Sequence, residues 1–243
     1  MENVYFYAVL GLVFIFLMTT AGSAVACFMG NATIERHSAL IGGLSGGIML
    51  ASAVWSLLIP AIGGGERENV IGVTVGFAAG TLLFTLLGVV LKEDESGGFV
   101  KLFTAMTAHN VPEGLSVGFA FGAASIGKIS VSAAFGIALG IGIQNFPEGA
   151  AISVPARKKY SRIKAFLLGM LSGAVEPIAG AIGLFLSGFA AWIMPVLMAF
   201  SAAAMIYTVF SELSGEVSKK PLFGSFGACA GFLIMLLLDV TLG

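Results

Sequence analysis

Apolar runs separated by short polar breaks divide the chain into eight segments, at about 4–29, 38–62, 70–91, 100–125, 130–154, 165–190, 192–212 and 221–242. Each is near the length of about 20 residues that a helix needs to cross a ~30 Å hydrocarbon core. The breaks read "NATIERH", "GGGERE", "KEDESGG", "SIGKIS", "PARKKYSRIK" and "SGEVSKK", with a tight connection near Ala190 and Ala191. In lipid such runs satisfy their backbone polar groups as helices. The pattern therefore predicts an all-α polytopic membrane protein with eight transmembrane helices in one transmembrane domain over 1–243.

Composition sharpens this. Hydrophobic residues make up 58% of the 243 positions and charged residues 10%, a balance that excludes a water-soluble domain. The opening Met1-Glu2-Asn3 lacks the basic region of a secretory signal peptide, so the first segment is read as a retained span. Cys27 and Cys229 lie far apart in apolar runs and read as packing residues.

Ten of the twelve basic residues fall on one set of alternate breaks: Arg36, Lys92, Lys101, Arg157, Lys158, Lys159, Arg162, Lys164, Lys219 and Lys220. Arg67 and Lys128 fall on the other. Short basic loops stay in the cytoplasm, so both termini are expected outside. Glycines recur at small-xxx-small spacing, as in Gly42/Gly46, Gly43/Gly47, Gly76/Gly80, Gly118/Gly122, Gly136/Gly140 and Gly227/Gly231. That spacing lets helix backbones approach closely.

Most acids lie in breaks or near span ends, Glu212 and Asp239 among the latter, but Glu113, Glu148 and Glu176 fall mid-span on helices four, five and six, with His109 the one other ionisable group at that depth. A carboxylate at the bilayer centre costs about 2.5–3.5 kcal/mol on insertion scales. No Lys or Arg is at hand to neutralise three of them, which points to a cation from outside.

A repeated hexapeptide organises these groups: "HNVPEG" at 109–114 and "QNFPEG" at 144–149, followed by "VEP" at 175–177. Positions i and i+4 share a helix face, so His109 projects with Glu113 and Gln144 with Glu148, while Asn110 and Asn145 stand at i,i+3 to the same glutamates. Pro112, Pro147 and Pro177 lack an N–H and free the carbonyls of Ala108, Ile143 and Gly173. For any one residue alone, a helix–helix hydrogen bond would account for it; the repeated set favours a polar path through the bundle. Imidazole together with carboxylate and amide oxygens suits borderline divalent metals such as Zn²⁺, Cd²⁺, Fe²⁺ or Mn²⁺. Met106, one turn before His109, could add a thioether, although a membrane methionine is more often packing.

At these residues the chain resembles the ZIP family of divalent-metal transporters, and its prokaryotic GufA-like branch in particular, which "ASAVWSLLIPAI" on the second span also matches. The resemblance covers essentially the whole chain. It implies a binuclear mid-membrane site, one position served by His109, Glu113, Gln144 and Glu148 and the other by Asn110, Glu113, Asn145, Glu148 and Glu176. It further implies helices 1–3 and 6–8 as an inverted repeat around helices 4 and 5, and an elevator-like slide moving metal toward the cytoplasm without ATP. Gln144 stands where many relatives have histidine and Asn145 where some have a carboxylate, which bears on metal preference. The loop between helices 3 and 4, often histidine-rich in the family, carries Glu93, Asp94 and Glu95 and reads as a solvated loop. Glu35 and His37 have the same standing.

Zn²⁺ or Cd²⁺ is then a transported substrate and not a prosthetic group, and the partners expected are divalent metal ions and the lipid bilayer, with no nucleic acid, no nucleotide, and a homodimer left open. The location expected is the plasma membrane of a prokaryote. An intramembrane metal-dependent hydrolase is the rival from another class, but there is no HExxH and only one intramembrane histidine. A proton or monovalent-cation pathway through the same carboxylates is the other alternative. "GAASIGKIS" approaches a phosphate-binding loop, yet Ile129 follows the lysine and the stretch joins two membrane helices.

Overall fold

The computed structural model describes residues 4–63, 67–90, 99–190 and 193–242. These form α1 (Val4–Phe28), α2 (Asn31–Ile62), α3 (Arg67–Val90), α4 (Phe99–Ser125), α5 (Val131–Ala156), α6 (Arg162–Gly173 and Val175–Ala190), α7 (Met194–Lys219) and α8 (Pro221–Leu242), with no strand among the described residues. The acids Glu93, Asp94 and Glu95 and the connection at Ala191 lie outside them.

Six of the helices, all but α4 and α5, are long and apolar enough to cross a membrane. At 27 and 26 residues α4 and α5 have the length as well, but the two hexapeptides dilute their apolar character. The polar residues of both hexapeptides are buried, while Val111 and Phe146 within them stay exposed. The outer helices present apolar side chains outward, with Leu82, Leu83, Leu86, Val89 and Val90 of α3 all exposed. A continuous apolar surface of this kind fits a lipid surround.

Two helix ends differ from the expected bounds. α2 begins at Asn31, seven residues before the apolar run, and α7 continues to Lys219 through the segment expected as a loop. Hydropathy marks where hydrocarbon ends, but a helix bonds its own backbone and can continue into the polar boundary, as the polar first turns of α2 do. In α2 the ladder widens to π-helical over Ala53–Leu58, just where the ring of Pro60 would crowd the carbonyl four residues earlier. α7 has a corresponding π turn at Val209–Leu213 with no proline to account for it. α6 breaks at Ala174, whose N–H reaches Leu171 O at 3.2 Å, three residues before Pro177. α4 and α5 run unbroken through Pro112 and Pro147.

Packing follows the glycines. α1 lies along α5, α2 along α8, α3 along α7 and α4 along α6. In each pair the contact ascends both helices together. A Cβ on Gly43 would overlap the Gly224 carbonyl and one on Gly47 the Ala228 carbonyl; Gly114 stands against Glu176 and Gly118 against Gly180; Gly76 stands against Val196 and Gly80 against Phe200; Gly142 abuts Phe14 and Gly149 Thr19. All four pairs are therefore parallel. They are also all odd with odd or even with even, as consecutive helices running in alternate directions require. Gly140 departs from the expected close packing, because a Cβ there would have ordinary room.

The basic segments converge at one end of the bundle. Arg157 donates to Asn31 Oδ1 at 2.6 Å, Lys158 pairs with Glu216 at 2.6 Å, Lys219 also pairs with Glu216, Lys220 donates to Arg36 O at 3.0 Å, and Lys101 pairs with Glu212 at 3.1 Å. Partial burial opposes the charge on Lys158, yet the bonds to Glu216 raise its pKa above the ordinary lysine value. At the opposite end, a cavity of about 580 Å³ opens between α2, α5 and α8. It reaches from Ser130 to Gly140, where Ser56 donates to Asp239 at 2.7 Å.

Candidate metal centre

His109, Asn110, Glu113, Gln144, Asn145, Glu148 and Glu176 are each at most 1% exposed. Lysine and arginine are absent from the buried residues described, so among these no lysine or arginine neutralises the three carboxylates. The helical spacing of α4 and α5 aims their hexapeptides at each other, and close glycine packing brings α6 against α4 at the level of Glu176.

His109 Nε2 stands 3.3 Å from Glu148 Oε2, and Gln144 Nε2 donates to Glu113 Oε1 at 2.8 Å. One ligand atom each from His109, Glu113 and Glu148 lie within 4.8 Å of one another. Asn110 Nδ2 donates to Ser172 O on α6 at 3.0 Å, and Asn145 Nδ2 to Glu176 Oε2 at 2.6 Å and Ile15 O at 3.4 Å.

What is left unpaired decides the chemistry. Asn110 Oδ1, Glu113 Oε2, Gln144 Oε1, Asn145 Oδ1, Glu148 Oε1 and His109 Nδ1 are buried without a hydrogen-bond partner. All three amides direct their donors into protein and keep their oxygens free. A buried polar atom left unsatisfied costs about 1–3 kcal/mol, and native structures hold only a few per 100 residues. A network made for helix association would pair acceptors with donors, whereas here the surplus consists of acceptors alone except for one ring nitrogen. That is the donor set a dication binds.

The structure brings all seven expected residues into one region, while Met106 packs in the apolar cluster with Met49, Leu57 and Met205. Glu35 and His37 lie on the first turns of α2, where His37 Nδ1 meets Thr33 O at 2.9 Å, away from the buried acids. Sequence reasoning missed the contribution of α1. Thr19 Oγ1 lies 3.1 Å from Glu176 Oε1, and Ser23 Oγ lies 3.4 Å from Gly149 O, directly after Glu148. The signal available was the hydroxyl-bearing run "TTAGS" at 19–23 within an otherwise apolar helix.

Comparison with known proteins gives concordant matches. The sequence model of one family, described as ZIP zinc transporter, matches residues 96–239. The chain is 37% identical over 146 residues to zinc transporter ZIP11 of Homo sapiens, an alignment covering 58% of this chain and 43% of that protein. It is 33% identical over 226 residues to zinc transporter GufA of Myxococcus xanthus, covering 83% of this chain and 85% of that one. To zinc transporter ZIPB of Bordetella bronchiseptica it is 31% identical over 260 residues, covering 98% and 82%. The chain thus spans less than half the length of ZIP11 but most of the length of GufA and ZIPB.

Proposed function

Because the chain belongs to the ZIP family of zinc transporters, we propose that it carries divalent transition-metal ions, Zn²⁺ foremost and Cd²⁺, Fe²⁺ or Mn²⁺ as alternatives, across a prokaryotic plasma membrane toward the cytoplasm. The observation that carries this reading is the cluster of unpaired buried acceptors around His109, Glu113 and Glu148. The first ion sits among those three residues with Gln144. A second position shares Glu113 and Glu148 with Asn110, Asn145 and Glu176. The two glutamates bridge.

The same-parity parallel pairing supports eight spans with both termini on one side, and the basic end of the bundle, opposite the termini and facing the cytoplasm, makes that side the outside. Exchanging α1, α2, α3 and α4 for α6, α7, α8 and α5 maps each tight helix pair onto another and maps the π turn of α2 onto that of α7. This favours the inverted repeat, and with it an alternating-access movement of α1, α4, α5 and α6, which carry the site, against the remaining four helices. The outer cavity ends at Gly140, one helical turn before Gln144, and provides the approach. A hydrolase is not favoured: with one imidazole and amide oxygens around it, the site lacks the several nitrogen or sulfur ligands that catalytic zinc centres generally draw on.

Purified protein in proteoliposomes, offered Zn²⁺, Cd²⁺, Fe²⁺, Mn²⁺ and Mg²⁺ in turn with internal pH recorded, tests the reading. Uptake of the borderline metals and exclusion of Mg²⁺ are expected; uptake of protons or monovalent cations alone would overturn it. Ligand groups must be deprotonated to hold metal. Protons therefore compete, and the apparent affinity for Zn²⁺ should fall steadily from pH 8 to pH 5 in a metal titration. Flat affinity over that range would exclude the imidazole and carboxylate set.

A further inference from the structure

The three buried glutamates are not equivalent. Glu113 and Glu148 each keep one oxygen unpaired, whereas both oxygens of Glu176 are engaged, Oε1 with Thr19 Oγ1 at 3.1 Å and Oε2 with Asn145 Nδ2 at 2.6 Å. We propose that Thr19 is a positioning residue for the second metal position, its hydroxyl holding the Glu176 carboxylate in the orientation from which it meets an ion shared with Asn145. This rests on the metal-transport reading above and adds α1 to the site.

The geometry around Thr19 is closed on every side. Its side chain is fully buried. A Cβ on Gly173 would lie 2.7 Å from Thr19 Cβ and Cγ2, so the absent side chain there is what admits the threonine. A β-branched side chain has few χ1 choices, and with the methyl fitted against Gly173 the hydroxyl is aimed at Glu176. The hydroxyl also lies 3.3 Å from Ile15 O, one turn back on its own helix. Thr19 has a single proton to give, and Asn145 Nδ2 places its second proton on that same Ile15 carbonyl at 3.4 Å. The carbonyl is thereby served without Thr19, leaving the hydroxyl proton for Glu176. Thr19, Glu176, Asn145 and Ile15 form a loop of bonds across α1, α5 and α6 whose one free acceptor is Asn145 Oδ1.

A threonine that only packed would tolerate valine, which has the same shape. A positioning threonine would not, because valine leaves Glu176 Oε1 unpaired and free to turn while His109, Glu113 and Glu148 stay untouched. The test is zinc stoichiometry and affinity by equilibrium dialysis of the purified protein, for wild type, Thr19→Val, Thr19→Ala and Thr19→Ser, with thermal unfolding in chelator as the check on folding. Wild type is expected to bind two ions per chain. Thr19→Val should bind the first with unchanged affinity and the second about tenfold or more weaker, the scale of losing an outer-sphere partner, and Thr19→Ser should recover the second. If Thr19→Val does not fold, Thr19→Ala is read in its place. Wild-type binding of both ions in the valine variant, or loss of both, overturns the proposal. A single ion in wild type overturns it together with the second position alone, and no zinc binding in wild type overturns the transport reading itself.

Discussion

Glu113→Ala is expected to abolish zinc uptake into proteoliposomes, a loss larger than the roughly 10–100-fold that removal of an outer-sphere partner costs. Glu113 supplies one of the three ligand atoms that converge within 4.8 Å and in the proposed arrangement is shared with the second position, so its removal should disable both. His109→Ala should match it, because no other imidazole is buried among the described residues. Folding should be affected far less. Losing Glu113 leaves Gln144 Nε2 without its 2.8 Å acceptor, at about 1–3 kcal/mol, but it also removes a carboxylate whose burial is itself unfavourable. Expression and thermal unfolding in chelator should therefore stay near wild type while uptake disappears. Wild-type uptake in either variant would take that residue off the route.

The hexapeptides could be read as a site because chemistry and periodicity coincide in them: i,i+4 spacing puts nitrogen and oxygen ligands on one face whatever the tertiary arrangement. Amide orientation is different in kind. Asn110 turns its nitrogen to Ser172 O and Asn145 to Ile15 O and Glu176, and those neighbours are set by which helix packs against which. Thr19 was hidden for the same reason. Within "MTTAGSAVA" it reads as one small residue among others, and only the α1–α6 crossing at Gly173 gives it a carboxylate to hold. The glycine spacing announced close crossings but did not name partners, so Gly43 and Gly47 meeting α8 while Gly42 and Gly46 meet α7 could not be told from sequence. The early start of α2 and late end of α7 escaped because a hydropathy pattern reports the solvent around a helix and not the helix itself.

Gly114→Ala is expected to damage the fold and the site together. A Cβ there would overlap the Glu176 carbonyl oxygen and lie 2.8 Å from Glu176 Cα. The obstacle is backbone on both sides, and no flexible side chain can yield, so α4 and α6 must part. Overpacking of this sort costs about 1–3 kcal/mol, and close backbone approach is a main source of helix association in lipid. The displacement also acts on function directly, because Gly114 follows Glu113 in α4 and the atoms it pushes belong to Glu176. Gly114→Ala should therefore lower the unfolding temperature in chelator and also reduce the further stabilisation that zinc gives, since ligand stabilisation scales with affinity. Gly215→Ala provides the contrast. Nothing lies within 4 Å of a Cβ at that position, it belongs to the exposed end of α7, and alanine favours helix over glycine by up to about 1 kcal/mol. Its unfolding temperature should hold or rise with zinc stabilisation intact. Equal tolerance of alanine at 114 and 215 would mean that the α4–α6 contact does not set the spacing of the metal ligands.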